Sequence, residues 1–412
     1  MRVVWLCGPS GVGKSAAGFE IFSRLGRDGV RAAYLDTDQI SLIHPAPPGG
    51  THDARARALA ALWPLFRAAG ARWLVVSGYV DTADDLRPYR AALPPGVIRV
   101  RLRAGERELR RRFLGRGWLS ELVEDTVAEA RRLETSGVGG VVVDTDGLSI
   151  AEVADRVLRL AEAEPLAEAE PPAGAGDPAT AVSPDPDPDP VPAHGPPPAA
   201  GPARDTGVPG PGQSSKEHAT DVADIGPRAR VVWLCGARGA GVSTAGYETY
   251  RRVLASGVRA AYVDLRQIGF LGPAPGGEPA IVVRTLAALW PVHRAAGATC
   301  LVVAGPADDR AALARYAGAL PDAEVTVCRL DAGPATLAER LRLRSLGRGP
   351  AIPGDDLAGR TPRQVRALAG RAARQARELR RAGVGDVHVD TDGLTPSQVA
   401  ERVLKAAWPA GG

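Results

Sequence analysis

Gly8-Pro9-Ser10-Gly11-Val12-Gly13-Lys14-Ser15 follows the apolar run Val3-Val4-Trp5-Leu6-Cys7 and leads into a helix-compatible run from Ala16 to Leu25. Strand, glycine-rich turn and helix form the context in which a G-x-x-x-x-G-K-S string becomes a phosphate-binding P-loop. Glycines let the backbone curl so that successive N–H groups face phosphate oxygens. The helix that follows adds its free N–H groups and the positive end of its dipole. Gly8, Ser10, Gly11, Val12, Gly13, Lys14 and Ser15 are thus expected to cradle a nucleotide. Lys14 would place a point charge on the β- and γ-phosphates, and Ser15 would ligate Mg²⁺. ATP and Mg²⁺ are the expected ligands.

Bulk properties narrow the class. The chain has 412 residues, 45% of them hydrophobic, and a formal charge of +4. That length predicts two or three domains. Basic residues are spread through helix-like segments, and aromatics make up only 5% of the chain. No aromatic-interleaved basic patch stands out, so no nucleic-acid partner is expected. Cys7, Cys235, Cys300 and Cys328 each lie in an apolar strand-like run, outside any C-x-x-C pair. Buried reduced thiols and a cytoplasmic location are expected. With a core strand predicted from Arg2, no export signal is expected, and no apolar run reaches membrane-spanning length.

The sequence repeats itself. Val3-Val4-Trp5-Leu6-Cys7-Gly8 recurs as Val231-Val232-Trp233-Leu234-Cys235-Gly236, and Leu59-Ala60-Ala61-Leu62-Trp63-Pro64 as Leu286-Ala287-Ala288-Leu289-Trp290-Pro291. Asp144-Thr145-Asp146-Gly147-Leu148 recurs as Asp390-Thr391-Asp392-Gly393-Leu394. This predicts a tandem duplication: a first domain over 1–162, a linker over 163–227, and a second domain over 228–412. The linker is rich in Pro, Ala and Asp, a composition that cannot bury enough apolar surface to order itself.

Within each copy, apolar strands alternate with helices, which predicts an α/β fold with a parallel sheet covered on both faces. In the first copy the strands are expected at 2–7, 32–35, 73–76, 97–102 and 140–143. Ligands sit at the carboxyl ends of such strands. Asp36-Thr37-Asp38 follows the second strand; one carboxylate suits the Mg²⁺ shell and the other an acceptor hydroxyl, while an Asx turn is the plainer alternative. Ser77-Gly78 follows the third strand and lets substrate approach the backbone. After the fourth come Arg112 and Arg116, one helical turn apart, suited to a lid over a transferring phosphoryl group. Asp144 and Thr145 follow the fifth and would edge the nucleotide base, or simply cap the next helix. Arg55 and Arg57 open the helix before the third strand and are further candidates for an anionic acceptor, or else surface charges.

With these residues in place, the first copy resembles the small P-loop kinases of the shikimate, gluconate, adenylylsulfate and nucleoside kinase types. It is more similar still to actinobacterial ATP-binding proteins labelled AAA-family ATPases. The matching features are Gly8 to Ser15, the Asp36/Asp38 pair, Leu109-x-x-Arg112-x-x-x-Arg116 and the Asp144 loop. The resemblance implies two P-loop domains, each with a five-stranded sheet in the order 2-3-1-4-5. It implies catalytic roles for Lys14, Asp36, Asp38, Arg112 and Arg116, with Ser15 and Asp36 near the metal. Asp38, Arg57, Ser77 and Gly78 would then face the acceptor. No Gly-Gly pair follows the third strand, which argues against a carboxylic acid acceptor.

The second copy departs from this pattern. Val242 stands where Lys14 does, and Asp264-Leu265-Arg266 replaces the carboxylate pair. Losing the lysine removes the main stabiliser of developing phosphoryl charge, so this copy is expected to be catalytically dead. Two functions follow. One is transfer of the ATP γ-phosphate to a small hydroxyl-bearing metabolite; the other is a nucleotide-binding switch or slow ATPase acting through an unidentified protein partner.

Overall fold

A computed structural model describes residues 1–115, 122–164, 228–272, 279–307, 309–349 and 352–408. The expected linker lies outside them except for its first two residues, and Arg116 also lies outside them. The N-terminal half runs β1 (Arg2–Cys7), α1 (Lys14–Arg27), β2 (Ala32–Asp36), α2 (Thr37–Ile40), β3 (Leu42–His44), α3 (Gly50–Ala68) and β4 (Trp73–Ser77). A short 3₁₀ turn then enters α4 (Arg87–Ala92), followed by β5 (Ile98–Arg103), α5 (Glu106–Leu114), α6 (Val123–Thr135), β6 (Val141–Asp144) and α7 (Ile150–Ala163).

The C-terminal half repeats the plan. It runs β7 (Ala229–Gly236), α8 (Val242–Ala255), β8 (Ala260–Asp264), β9 (Phe270–Leu271), α9 (Pro279–Ala295), β10 (Cys300–Ala304) and α10 (Arg310–Ala317). It ends with β11 (Ala323–Asp331), α11 (Pro334–Ser345), α12 (Pro362–Arg381), β12 (Val387–Asp390) and α13 (Pro396–Ala407). β1, β4, β7 and β10 are continuous apolar runs because helices cover both faces of each sheet. All four cysteines are buried and free. Among the described residues no helix is long and apolar enough to cross a membrane.

Each sheet has six strands, not the expected five. The first runs β6-β5-β1-β4-β2-β9 and the second β12-β11-β7-β10-β8-β3. The sixth strand of each is antiparallel and comes from the other half. β9 pairs with β2 (Tyr34 opposite Phe270), and β3 pairs with β8 (Leu42 opposite Tyr262). An open edge strand invites pairing, and each half closes the other's edge. No strand is expected from the sequence at Leu42–His44, because that strand is three residues long and its partner lies more than two hundred residues away.

The exchange joins the cores. One apolar cluster contains Leu59, Leu62 and Phe66 of α3 together with Leu286, Leu289 and Trp290 of α9. Phe270 enters an aromatic group of the N-terminal half, with ring centroids 5.2 Å from Phe19 and 5.7 Å from Tyr34. The buried His293 ring meets the Ile40 carbonyl across the junction, 3.3 Å from Nε2. The two halves form a single compact unit.

Candidate nucleotide site

The loop from Gly8 to Ser15 joins β1 to α1. At Gly8, φ is +135°, and a Cβ there would lie 2.4 Å from the Leu102 carbonyl oxygen of β5. Gly13 caps α1 at φ +105°, and a Cβ there would meet nothing within 4 Å. One glycine therefore allows a close strand approach, and the other allows only the turn into the helix.

Lys14 folds back over this loop. Its Nζ donates to the carbonyls of Gly8 at 2.8 Å and Pro9 at 2.9 Å. Burial lowers its pKa, opposed by the carboxylates of Asp38, Glu129 and Asp36. Ser15 Oγ donates to Asp36 Oδ2 at 2.6 Å. The same carboxylate oxygen accepts from Ser77 Oγ at 3.0 Å, and Ser77 Oγ lies 2.8 Å from the Tyr34 hydroxyl. Asp36 Oδ1 caps α2 through the Asp38 N–H at 3.0 Å. Burial and the neighbouring Asp38 charge raise the Asp36 pKa.

β1, β2 and β4 are adjacent and parallel, so their ends bring Lys14, Ser15, Asp36, Asp38 and Ser77 into one place. Ser15 and Asp36 form an all-oxygen pair at hydrogen-bond distance, the donor chemistry that a hard divalent cation takes. Asp38 is ion-paired to Arg55, and half of its side chain remains exposed. Arg57 points elsewhere, to Asp53 at 2.8 Å. Gly78 packs against Thr37 so closely that a Cβ would lie 2.3 Å from its hydroxyl oxygen.

The arginine expected over the phosphates has other partners. Arg112 donates to the Val12 carbonyl at 3.0 Å, to Thr145 Oγ1 at 3.0 Å and to the Thr145 carbonyl at 2.7 Å. It straps the P-loop to the loop after β6. Thr145 is buried and also donates to the Arg103 carbonyl, and Asp144 pairs with Arg103. Arg340 of the C-terminal half repeats the strap, reaching the Ala240 carbonyl at 3.0 Å and Thr391 Oγ1 at 3.0 Å. The strap thus recurs in the half whose loop lacks the lysine.

One site residue has no motif to announce it, and of the two arginines expected at the start of α3 one reaches the site. Glu129 on α6 accepts the Ser10 backbone N–H at 3.0 Å. Arg55, rather than Arg57, holds Asp38. Both come from helices whose approach to the loop depends on the tertiary fold.

In the C-terminal half, Ser243 and Asp264 keep their hydrogen bond. Arg266 has moved onto it: its guanidinium donates to Ser243 Oγ at 2.7 Å and lies 3.5 Å from Asp264. A guanidinium thus stands directly on this oxygen pair. Val242 is buried where the lysine would be.

No family model and no curated protein matches the chain. Solved structures do. The Deinococcus radiodurans tunicamycin resistance protein is 23% identical over 44% of this chain and 96% of its own, at a TM-score of 0.32. The Mycobacterium tuberculosis APS kinase is 18% identical over 44% and 98%, at 0.27. A gluconokinase from Sinorhizobium meliloti is 22% identical over 39% and 94%, at 0.26.

Proposed function

We propose that the N-terminal half, 1–162, transfers the γ-phosphoryl group of Mg²⁺-ATP to a small hydroxyl-bearing metabolite. The C-terminal half, 228–412, is then a duplicated copy that does not catalyse. The supporting observation is the convergence of Lys14, the Ser15–Asp36 oxygen pair and the half-exposed Asp38 at the ends of three adjacent parallel strands.

In this reading the loop amides and Lys14 bind the phosphates. Ser15 and Asp36 would hold Mg²⁺, which when bound neutralises phosphate charge. The buried Ser77 and Tyr34 keep the Asp36 carboxylate turned toward Ser15. Asp38, fixed by Arg55, orients the acceptor hydroxyl. Thr145 and Asp144 edge the nucleotide base, with Arg112 positioning their loop. Ser77, Gly78 and Arg57 then shape the acceptor side less directly than Asp38 and Arg55.

The test is ADP formation by the full chain with Mg²⁺-ATP, alone and with pooled polyols and sugars, beside Lys14→Ala. Stimulation by one pool, reduced about 10²- to 10³-fold in the variant, supports transfer to a metabolite. Turnover that survives in Lys14→Ala overturns the assignment of the site. Tight ATP binding with slow turnover that no pool stimulates overturns the phosphotransferase and leaves a nucleotide-dependent switch.

A further inference from the structure

Glu129 links α6 to the P-loop. Its Oε1 takes the Ser10 N–H at 3.0 Å, and the side chain is almost wholly enclosed. Gln375 on α12 occupies the equivalent position in the C-terminal half and accepts the Arg238 N–H at 3.1 Å. A neutral amide therefore latches the loop as well as a carboxylate does. The latch needs an oxygen, not a charge.

A carboxylate buried merely to accept one N–H is costlier than an amide doing the same. Yet the half that keeps Lys14 keeps Glu129, and the half with Val242 has Gln375. The charge goes with the phosphate-binding lysine. The charged groups that bear on Glu129 are Lys14 at the start of α1 and Asp81 beyond β4; Ser10 hydrogen-bonds it. Of the other acids of the site, Asp36 is held by Ser15 and Ser77 and Asp38 is ion-paired to Arg55.

We propose that Glu129 is the base of the N-terminal site. Its carboxylate takes the proton of the acceptor hydroxyl as that oxygen bonds to the γ-phosphorus. The bond from the γ-phosphorus to the bridging oxygen breaks, and ADP leaves with that electron pair. This rests on the phosphotransferase reading above.

The experiment is Glu129→Gln in the full chain, with three readouts. Gln375 shows that the fold accepts the amide, so the thermal midpoint stays within a few degrees of wild type. Calorimetric titration with Mg²⁺-AMP-PNP shows affinity equal to wild type or tighter, because a like charge beside the γ-phosphate is gone. ADP formation, with water or a stimulating pool as acceptor, falls about 10²- to 10⁴-fold, the range for a lost general base. An E129Q variant that turns over within threefold of an active wild type overturns this proposal alone. A loss of AMP-PNP affinity that accounts for the whole loss of turnover also overturns it, since Glu129 then only shapes the loop. A wild-type chain that binds AMP-PNP yet never forms ADP overturns both this proposal and the phosphotransferase.

Discussion

His293 makes the junction between the halves sensitive to acid. The ring lies fully buried on α9, with Nε2 3.3 Å from the Ile40 carbonyl at the end of α2. Burial lowers its pKa from 6.5 to about 4. The folded chain therefore keeps the ring neutral where the unfolded chain protonates it. Stability is unaffected well above pH 6.5, falls as pH drops through 6.5, and stops falling near pH 4. The gap is about 2.5 pH units, and at about 1.36 kcal/mol each the full loss is about 3 kcal/mol. About 2.5 kcal/mol of it is reached by pH 4.5. His293→Gln removes the titration but keeps a side-chain N–H for the Ile40 carbonyl. Urea unfolding of both proteins at pH 7 and pH 4.5 is the assay. Wild type should lose about 2.5 kcal/mol more than H293Q across that interval. Equal losses in the two proteins would refute the reasoning, because carboxylates elsewhere would then account for the acid limb.

Phe270→Ala removes a buried ring that the C-terminal half contributes to the Phe19, Phe22 and Tyr34 group; it should cost about 3–5 kcal/mol in urea unfolding and weaken AMP-PNP binding at the other half's loop. A cost below about 1 kcal/mol, or unchanged nucleotide affinity, would show that the exchange does not support the site. Arg112→Ala and Arg340→Ala should each cost about 2 kcal/mol of stability, since each removes a charged donor from loop carbonyls. An R112A variant of undiminished stability that loses only turnover would restore the lid role to Arg112.

The P-loop was legible because its chemistry is local. Strand, glycine turn, lysine and helix follow one another within about two dozen residues, and the structure keeps them in that order. Asp36 and Ser77 were legible because the carboxyl ends of parallel strands share one edge. β3 and β9 were not, since they are three and two residues long and pair only across the halves. Propensity says little about so short a segment when a distant edge selects it. For Arg112, a row of arginines on one helix does not say whether its partner is a phosphate or, as here, a loop carbonyl. Glu129 carried no signal of its own. Only the alignment of α6 with α12, which places it opposite Gln375, would have singled it out.

The two halves sort the site residues into fold and chemistry. Tyr34, Ser15, Asp36, Arg112 and Thr145 all have counterparts in Tyr262, Ser243, Asp264, Arg340 and Thr391, and most of their hydrogen bonds recur. Those contacts persist without a lysine, so loop geometry alone is enough to explain them. Lys14, Asp38 and Glu129 are replaced by Val242, Arg266 and Gln375, and every change alters charge around the same loop. A half under no demand to fold would be free to lose both sets. The C-terminal half has lost these groups, and the Ser77 hydroxyl with them since Ala304 stands in its place, but it keeps the contacts that hold the loop, and the exchange supplies a physical reason. β9 closes the edge of β2, the strand that ends in Asp36, and Phe270 packs against Tyr34, whose hydroxyl reaches Ser77. Unfolding the C-terminal half would strip the outer strand from the sheet that carries Asp36 and Ser77.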